Sequence, residues 1–314
     1  MGKLYRPRHA SLQFWPRKRA EKELPRVNWK SFEKNNSNAK NHLLGFIGYK
    51  VGMISVLAKD NTANSMTKGK QVVLPATLVE CPASKVLSIR FYKQGKVAGE
   101  ILSTNLDKEL KRKLKLPKQH REHEIKDFDD VRVLIYSNAK STGIKKTPDI
   151  AEIGIKGNSP QEKLEFAKSL LNKELHFDDF FDKSQLIDVH AVTKAYGFEG
   201  PVKRFHIQLK PHKSEKGVRR PGSLGPWHPH RVTFRVPMAG QRGYFTRVQY
   251  NNRLLGTGKE LAMEFQHYGP IKTNYVIIKG SVQGPAKRVL MLTTALRPTK
   301  SSAKENFELV RILK

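Results

Sequence analysis

The chain has 314 residues, 38% of them hydrophobic, which is enough for about two structural units with proper cores. Its 59 Lys and Arg outnumber its 28 Asp and Glu, giving a formal net charge of +31, and a compact protein with such a charge repels itself unless a polyanion neutralises it. Because Cys81 is the one cysteine, the sequence excludes a disulfide framework and a multi-cysteine zinc site and fits a reducing compartment.

The polyanion that this charge implies is either a nucleic acid or a membrane surface. A basic protein that binds membranes is expected to carry an amphipathic helix with a full apolar face. The sequence contains neither such a helix nor a run of 18 apolar residues, and the start MGKLYRPRHA lacks the apolar stretch of a secretory signal. We therefore predict a nucleic-acid partner, no membrane partner and a cytoplasmic location.

The first 40 residues are basic and irregular. They hold eleven Lys and Arg against three Glu, with Pro7, Pro16 and Pro25 among them. Such a segment buries too little apolar area to become ordered by itself, so we predict a basic N-terminal extension over residues 1–42 that orders against a partner. Its aromatic residues either stack on RNA bases or pin the segment onto the protein's own barrel, and the sequence leaves both readings open.

Charge varies strongly farther along the chain. Residues 201–247 hold eleven Lys and Arg and one Glu, whereas residues 151–190 hold five Lys and eight acidic residues. Basic stretches of this kind are typical of polyanion contacts. The acidic patch is expected to face away from the polyanion or toward a basic protein neighbour.

From residue 43 onward the sequence predicts many short strands, rich in Val, Ile, Thr and aromatic residues and separated by turn residues. The runs are HLLGFIGYKVGMISVLA, QVVLPATLVE, KVLSIRFY, VRVLIY, AEIGI, LIDVHAVT, RVTFRV, YFTRVQY, NYVIIKGSV, RVLMLTTAL and FELVRIL. So many short strands in about 270 residues favour a closed or nearly closed barrel over alternating βα units. The sequence therefore predicts a mainly β fold.

Two helical stretches interrupt these strands. The first covers residues 107–128 and is divided by Pro117; the second covers residues 158–175 and has leucines at helical spacing. In the second stretch Ser159 and Glu162 form a capping-box pattern, and Pro160 suits the first helical position. The two stretches predict an α+β lobe over residues 81–185, inserted between the core parts 43–80 and 186–314.

One loop stands out between Lys210 and Pro229, where four prolines and three glycines exclude a helix or a central strand. An irregular loop of about 20 residues is typically functional. It carries five Lys and Arg, and its far part holds Trp227, which can stack on a base or donate its one N–H. We interpret the loop as an ordered arm; the alternative is a flexible charged loop.

The chain returns from this loop through MAGQRGYFTRVQYN. Gly240 and Gly243 flank Gln241 and Arg242, which leaves the backbone open to a phosphate or sugar edge. Arg242 has five donors in a rigid fork that suits phosphates and guanine edges. A glycine-bounded β-turn with an exposed Arg explains the same spacing, and both readings stay open.

Several long runs resemble one known family. They are KLYRPRHASLQFWPRKRA, GFIGYKVGM, FDKSQLIDVHAVTKAYGFEGPVKR and GPWHPHRVTFRVPMAGQRGY, and together they are similar to the ribosomal protein L-three family of the large ribosomal subunit, in its archaeal and eukaryotic form. The resemblance covers nearly the whole chain. It implies a β-barrel core of the type shared with translation factors and two basic arms that enter ribosomal RNA, the central one (residues 205–240) ending near the peptidyl-transferase centre.

The resemblance also implies which residues contact ribosomal RNA. Trp227 matches the tryptophan at the tip of the family's central arm. The basic positions that carry over are Lys203, Arg204, Arg219, Arg220, Arg231, Arg235 and Arg242. To these we add other basic or polar positions of the two arms, so that the predicted RNA-binding set is completed by Arg17, Lys18, Arg19, Lys210, Lys213, His228 and Gln241.

The sequence gives little support for catalysis. It has no G-x-x-x-x-G-K-[ST] run, and its paired carboxylates have no nucleophile beside them. His228 and His230 flank Pro229 without a cysteine cluster, so we predict no metal and no cofactor.

The leading hypothesis is a non-enzymatic structural protein of the large ribosomal subunit. Its partners are then large-subunit ribosomal RNA and neighbouring ribosomal proteins, with no homo-oligomer expected. An RNA-modifying or RNA-processing enzyme is the alternative, and a transient translation factor is a third class.

Overall fold

A computed structural model of the chain describes residues 14–33, 42–117, 125 and 127–313. The protein is mainly β, with 43% strand, 13% helix and curled sheets, which confirms the predicted fold class at this level. Within those residues, none of the helices is long and apolar enough to cross a membrane. The helices are α1 (Lys30–Glu33), α2 (Ala139–Thr142), α3 (Pro160–Leu170), α4 (Pro201–Phe205) and α5 (Lys300–Lys304).

The strands follow one another along the chain with few helices between them. They are β1 (His42–Leu43), β2 (Gly45–Asp60), β3 (Gln71–Glu80), β4 (Ser84–Lys93), β5 (Lys96–Leu102), β6 (Asp130–Ser137), β7 (Ile150–Lys156), β8 (Glu174–Leu175), β9 (Leu186–Val192), β10 (Ala195–Glu199), β11 (Gly240–Gly243), β12 (Thr246–Phe265), β13 (Gly269–Lys279), β14 (Val289–Thr294) and β15 (Phe307–Leu313).

Contacts between residues divide the chain into two units. The arm unit comprises Met1–Glu21 and Thr193–Thr246, and the body unit comprises Lys22–Val192 and Arg247–Lys314. Residues 1–13 and 34–41, which belong to the predicted N-terminal extension, lie outside the described part of the chain.

The larger sheet of the body unit has seven strands in the order β14-β9-β12-β13-β3-β2-β15, and β14 also pairs with β2. Six of its strands are therefore paired in a ring. The second half of β2 shows why the chain forms a strand here, because Ile54, Val56 and Ala58 are buried while Lys59 is exposed. This alternation puts one face of the strand on the core.

The second sheet of the body unit has the order β1-β7-β6-β4-β5, with β8 paired to β4. Helix α3 packs against β6, β4 and β7 and buries Ala167 and Leu170. The helix begins at Pro160, as predicted, because the Ser159 hydroxyl accepts a hydrogen bond from the Glu162 N–H at 3.2 Å. The Glu162 carboxylate differs from the predicted box, since it accepts from the N–H of Asn158 (3.3 Å).

Trp29 ties the segment before β1 into the core of the body unit. It is 3% exposed and its indole N–H donates to the Glu152 carbonyl at 2.9 Å. A Cβ at Gly154 would lie 3.0 Å from the Trp29 Cβ, so the ring needs a glycine beneath it. Phe32 is also buried and packs on Trp29. These two aromatic residues therefore pack on the core of the body unit.

Two predicted elements are wrong. RVTFRV at 231–236 is not a strand, because its Val232 and Phe234 side chains are exposed and none of the described strands pairs with it. Of the helix predicted over 107–128, the described residues form one 3₁₀ turn at Lys108–Arg112 and no α-helix. Residues 118–124 and 126 of that stretch lie outside the described chain. The turn buries only Leu110, so no apolar stripe holds a longer helix on the core.

Candidate nucleic-acid interface

The arm unit is built on a two-stranded ribbon. Strands β10 and β11 pair antiparallel, with Glu199 opposite Gly240 and Phe198 opposite Gln241. Helix α4 follows β10 directly, with Pro201 at its first turn. The chain between α4 and β11 is the central arm, residues 205–240. Gln241 and Arg242 thus lie in a strand and not in the glycine-bounded turn that the sequence also allowed.

The central arm has almost no core of its own. None of the residues 201–242 is buried, in keeping with four prolines and three glycines between Lys210 and Pro229. Trp227 is 79% exposed, and its ring meets the edge of His230 at 5.2 Å between centroids. His228 in turn lies 4.5 Å from His230. The arm therefore exposes its indole and its cations instead of burying them.

A small aromatic cluster joins the N-terminal segment to the arm within the same unit. Trp15 meets the Phe234 ring edge-on at 4.9 Å. The Arg17 guanidinium lies 4.9 Å from the Trp15 ring and 4.2 Å from the Phe205 ring, both within cation–π range. Sequence reasoning missed this role of Trp15, Phe205 and Phe234; the signal was an aromatic residue beside each of several arginines.

Four of the predicted RNA-binding residues are partly buried and make side-chain contacts inside the arm unit. Arg17 takes part in the aromatic cluster above. Arg204 donates to the carbonyls of Met238 and Gln241. Arg242 forms an ion pair with Glu199. The Gln241 side-chain amide donates to the Gly243 carbonyl at 3.1 Å.

The other predicted residues are the outward-facing ones. Lys18 makes a loose 3.8 Å contact with Glu21, and Arg235 lies 5.2 Å from the Phe234 ring. In the described part of the chain, no carboxylate pairs with any of the remaining cations, namely Arg19, Lys203, Lys210, Lys213, Arg219, Arg220 and Arg231. Trp227 and His228 are exposed beside them. These side chains are open to a partner.

The body unit has a cavity of about 510 Å³ whose wall includes Trp29, Arg90, Arg132 and Glu152. Three of its charged side chains pair with one another, because Glu152 accepts from Arg90 (3.2 Å) and Arg132 (2.9 Å). Over the ranges that the structure describes, no group of three or more His, Cys, Asp or Glu could hold a metal ion. Burial raises the pKa of the Cys81 thiol, which keeps it protonated and unreactive.

The protein combines a mainly β body unit with a second unit that is exposed and rich in Lys and Arg. An exposed basic segment of this kind is typical of proteins that bind nucleic acids. The model of the family described as ribosomal protein L3 matches residues 1–312. The chain belongs to the ribosomal protein L3 family.

Relatives from three archaea are similar over almost their whole length, and each is described as large ribosomal subunit protein uL3. The one from Methanocaldococcus jannaschii is 42% identical, covering 93% of this chain and 92% of its own. The one from Archaeoglobus fulgidus is 42% identical, with 95% and 94% covered. The one from Methanobrevibacter smithii is 40% identical, with 96% and 95% covered.

Proposed function

We propose that this protein is a structural constituent of the large ribosomal subunit in the cytoplasm, that it binds large-subunit ribosomal RNA and supports its assembly, and that it has no catalytic activity. Its relatives over nearly the full chain are described as proteins of that subunit. Its partners are then ribosomal RNA and neighbouring ribosomal proteins. Because the RNA phosphates neutralise the charge of +31, the protein is suited to a particle made largely of polyanion.

The observation that carries the RNA-binding part is the charge and exposure of the arm unit. Thr193–Thr246 holds eleven Lys and Arg against two Glu, and none of residues 201–242 is buried. One of the two acids, Glu199, is already paired with Arg242. A segment this basic with so little core gains its order by contacts with phosphates and bases.

For the site, we propose that the fifteen predicted residues form the RNA-binding site, in which the outward-facing side chains contact the RNA and those bonded within the arm unit shape the site. We further propose that the central arm extends toward the peptidyl-transferase centre with Trp227 near its tip. The exposed indole is available for stacking on a base, an interaction worth about 1–3 kcal/mol. The support is the match of GPWHPH and AGQRGY to the family.

For the fold, we propose that the ring of six paired strands is a barrel of the translation-factor type. The proposed domains are a basic N-terminal extension (1–42), the barrel (43–80 and 186–314), the inserted α+β lobe (81–185) and the central arm (205–240). The support is the pairing of β14 with both β9 and β2, which leaves no break between the first and sixth strands of the ring.

Co-sedimentation tests the proposal directly. The tagged full-length protein, expressed in an archaeal host, should sediment with the large subunit at one copy per particle and stay bound through a moderate salt wash. A transient RNA-modifying enzyme or translation factor would instead be found mostly free or at well below one copy per particle. That result would overturn the structural role.

A further inference from the structure

The two ends of the central arm meet at the ribbon. The arm leaves from helix α4 and returns into strand β11, and the N–H of Tyr244 donates to the Lys194 carbonyl at 2.9 Å just beyond that pairing. The contacts that hold α4 against β11 therefore set the direction in which the 36 residues of the central arm leave the ribbon.

Arg204, at the end of α4, spans this junction. Its Nε donates to the Gln241 carbonyl at 3.0 Å and its Nη1 donates to the Met238 carbonyl at 2.9 Å. A guanidinium presents its donors in a rigid planar fork, so two bonds to one returning segment fix both distance and orientation. Burial lowers the pKa of Arg204, because removal from water disfavours the charged form of the guanidinium.

Gly240 is shaped to this contact. A Cβ at that position would lie 2.8 Å from Nη1 of Arg204 and 2.9 Å from its Cζ. A Cβ at this position therefore requires the guanidinium to move from the place where it donates to the two carbonyls. The glycine is thus explained by the arginine, with no need for a phosphate or sugar close to the backbone.

Arg242, which lies in β11 two residues after Gly240, makes a second contact across the ribbon. Its Nη1 lies 2.6 Å from the Glu199 carboxylate, and its guanidinium lies 4.5 Å from the Tyr196 ring. Glu199 and Tyr196 belong to β10, so this contact ties the two strands of the ribbon through their side chains. A half-buried pair with an aromatic face beside it is stronger than an exposed ion pair.

We infer that Arg204 and Arg242 are positioning residues that clasp the base of the central arm, and that the phosphate contacts of the arm are made by its outward-facing cations. The inference rests on the proposed function for its RNA readout. It assigns the two arginines a structural role different from the direct RNA contact that family resemblance implies.

The test uses the full-length protein with transcribed large-subunit RNA, and the affinity is measured from about 50 to about 300 mM KCl so that the slope of log K against log salt counts phosphate contacts. The variants are Arg204→Ala, Arg204→Lys, Gly240→Ala and the double variant Arg219→Ala with Arg220→Ala. Gly222→Ala is the matched glycine control, because a Cβ there meets nothing within 4 Å. Amide hydrogen exchange of residues 195–204 and 238–244 in the RNA-free protein is the second readout.

We expect Arg204→Ala, Arg204→Lys and Gly240→Ala each to lower the affinity for RNA about tenfold. Without the clasp the arm is less ordered in the free protein, and ordering it on the RNA reduces the net free energy of binding. All three should leave the salt slope unchanged and speed amide exchange at the arm base. Gly240→Ala is the sharpest of them, since it removes no charge. Gly222→Ala should match the unmodified protein in both readouts.

The inference is overturned if Arg204→Ala lowers the salt slope by about 0.7–0.9, the value for one lost phosphate contact, while exchange at the arm base stays unchanged. It is also overturned if Gly240→Ala behaves like Gly222→Ala. The proposed RNA contact fails separately, if the Arg219 and Arg220 double variant keeps its full affinity and slope. The exchange readout needs no RNA, so it decides on the clasp in that case too.

Discussion

The tryptophans of this chain show how one residue type takes opposite roles according to its surroundings. Trp29 is 3% exposed and its N–H is bonded, whereas Trp227 is 79% exposed on the central arm. The first contributes apolar burial to the body unit. The second buries little in the free protein, so we expect its contribution to come from contacts with a bound partner.

Replacing each tryptophan with Ala should therefore give opposite results. Trp29→Ala is expected to lower the free energy of unfolding by about 3–5 kcal/mol, because it empties the slot above Gly154. Trp227→Ala should change it by less than about 0.5 kcal/mol but perturb peptidyl transfer in reconstituted subunits. Urea unfolding measures the first effect. A large stability loss in Trp227→Ala would make it a core residue and end its proposed role at the arm tip.

His190 gives the body unit a pH dependence. It lies in β9, where its ring is 3.2 Å from the Thr293 hydroxyl, and burial lowers its pKa from 6.5 to about 4. Between pH 6.5 and about 4 the unfolded chain binds a proton at His190 more readily than the folded protein does, so the free energy of unfolding falls as the pH falls. At about 1.4 kcal/mol per pKa unit, the shift from 6.5 to about 4 corresponds to a loss of about 3 kcal/mol.

His190→Gln should flatten the pH dependence of unfolding between about pH 6.5 and 4, as measured by urea titrations at a series of pH values. His212→Gln, at an exposed arm position, is the control and should retain the slope. An unchanged slope in His190→Gln would show that other groups cause it.

At the scale of elements, α3 is held by a local signal. The Ser159 hydroxyl caps the helix through the Glu162 N–H, and Pro160 occupies the first turn. Ser159→Ala should cost about 1 kcal/mol of unfolding free energy, the usual value of a lost N-cap. Ser169→Ala, in the same helix, removes only an exposed bond to the Phe166 carbonyl and should cost nearly nothing. Thermal unfolding of both variants is the check, and equal losses would refute the capping role.

Signals of this kind explain which elements the sequence could predict. Helix α3 and strand β3 were both predicted, β3 over its full Gln71–Glu80 range, because caps, turns and apolar patterns lie within the segment itself. RVTFRV carries a strand-like composition, but a strand also needs a neighbour. Strand β5, which was missed, has such a neighbour in β4 and pairs despite its Gly99.

The same limit applies to the candidate interface. Sequence and resemblance singled out Arg204 and Arg242 with the other arm cations, since all carry one charge in one basic stretch. Their partners, Met238 and Glu199, lie 34 and 43 residues away along the chain, and no spacing rule connects them. Only the folded ribbon separates internally bonded arginines from outward-facing ones.

At the scale of the whole molecule, charge and core are unevenly shared. Thr193–Thr246 contains eleven Lys and Arg and two Glu, and the large apolar clusters lie in the body unit. A chain arranged in this way is expected to have regions of very different local stability.

Hydrogen exchange of the free protein should reveal that difference. We expect slow exchange in β2, β9 and β14 and fast exchange over residues 205–240, whose amides should become protected when large-subunit RNA is added. The physical reason is that phosphates and bases supply the contacts that the arm lacks alone. Uniformly slow exchange across 205–240 without RNA would contradict an arm that orders on its partner.

The burial of Trp29 and Phe32 also matters to anyone who shortens the gene from its 5′ end. A version starting at Lys22 lacks the basic residues 1–21 and retains both rings. A version starting near residue 42, where the strand-rich sequence begins, discards them. Poor recombinant yield from that second clone would reflect the loss of these two buried rings from the core. It would say nothing about what the basic residues before Lys22 do in the ribosomal subunit.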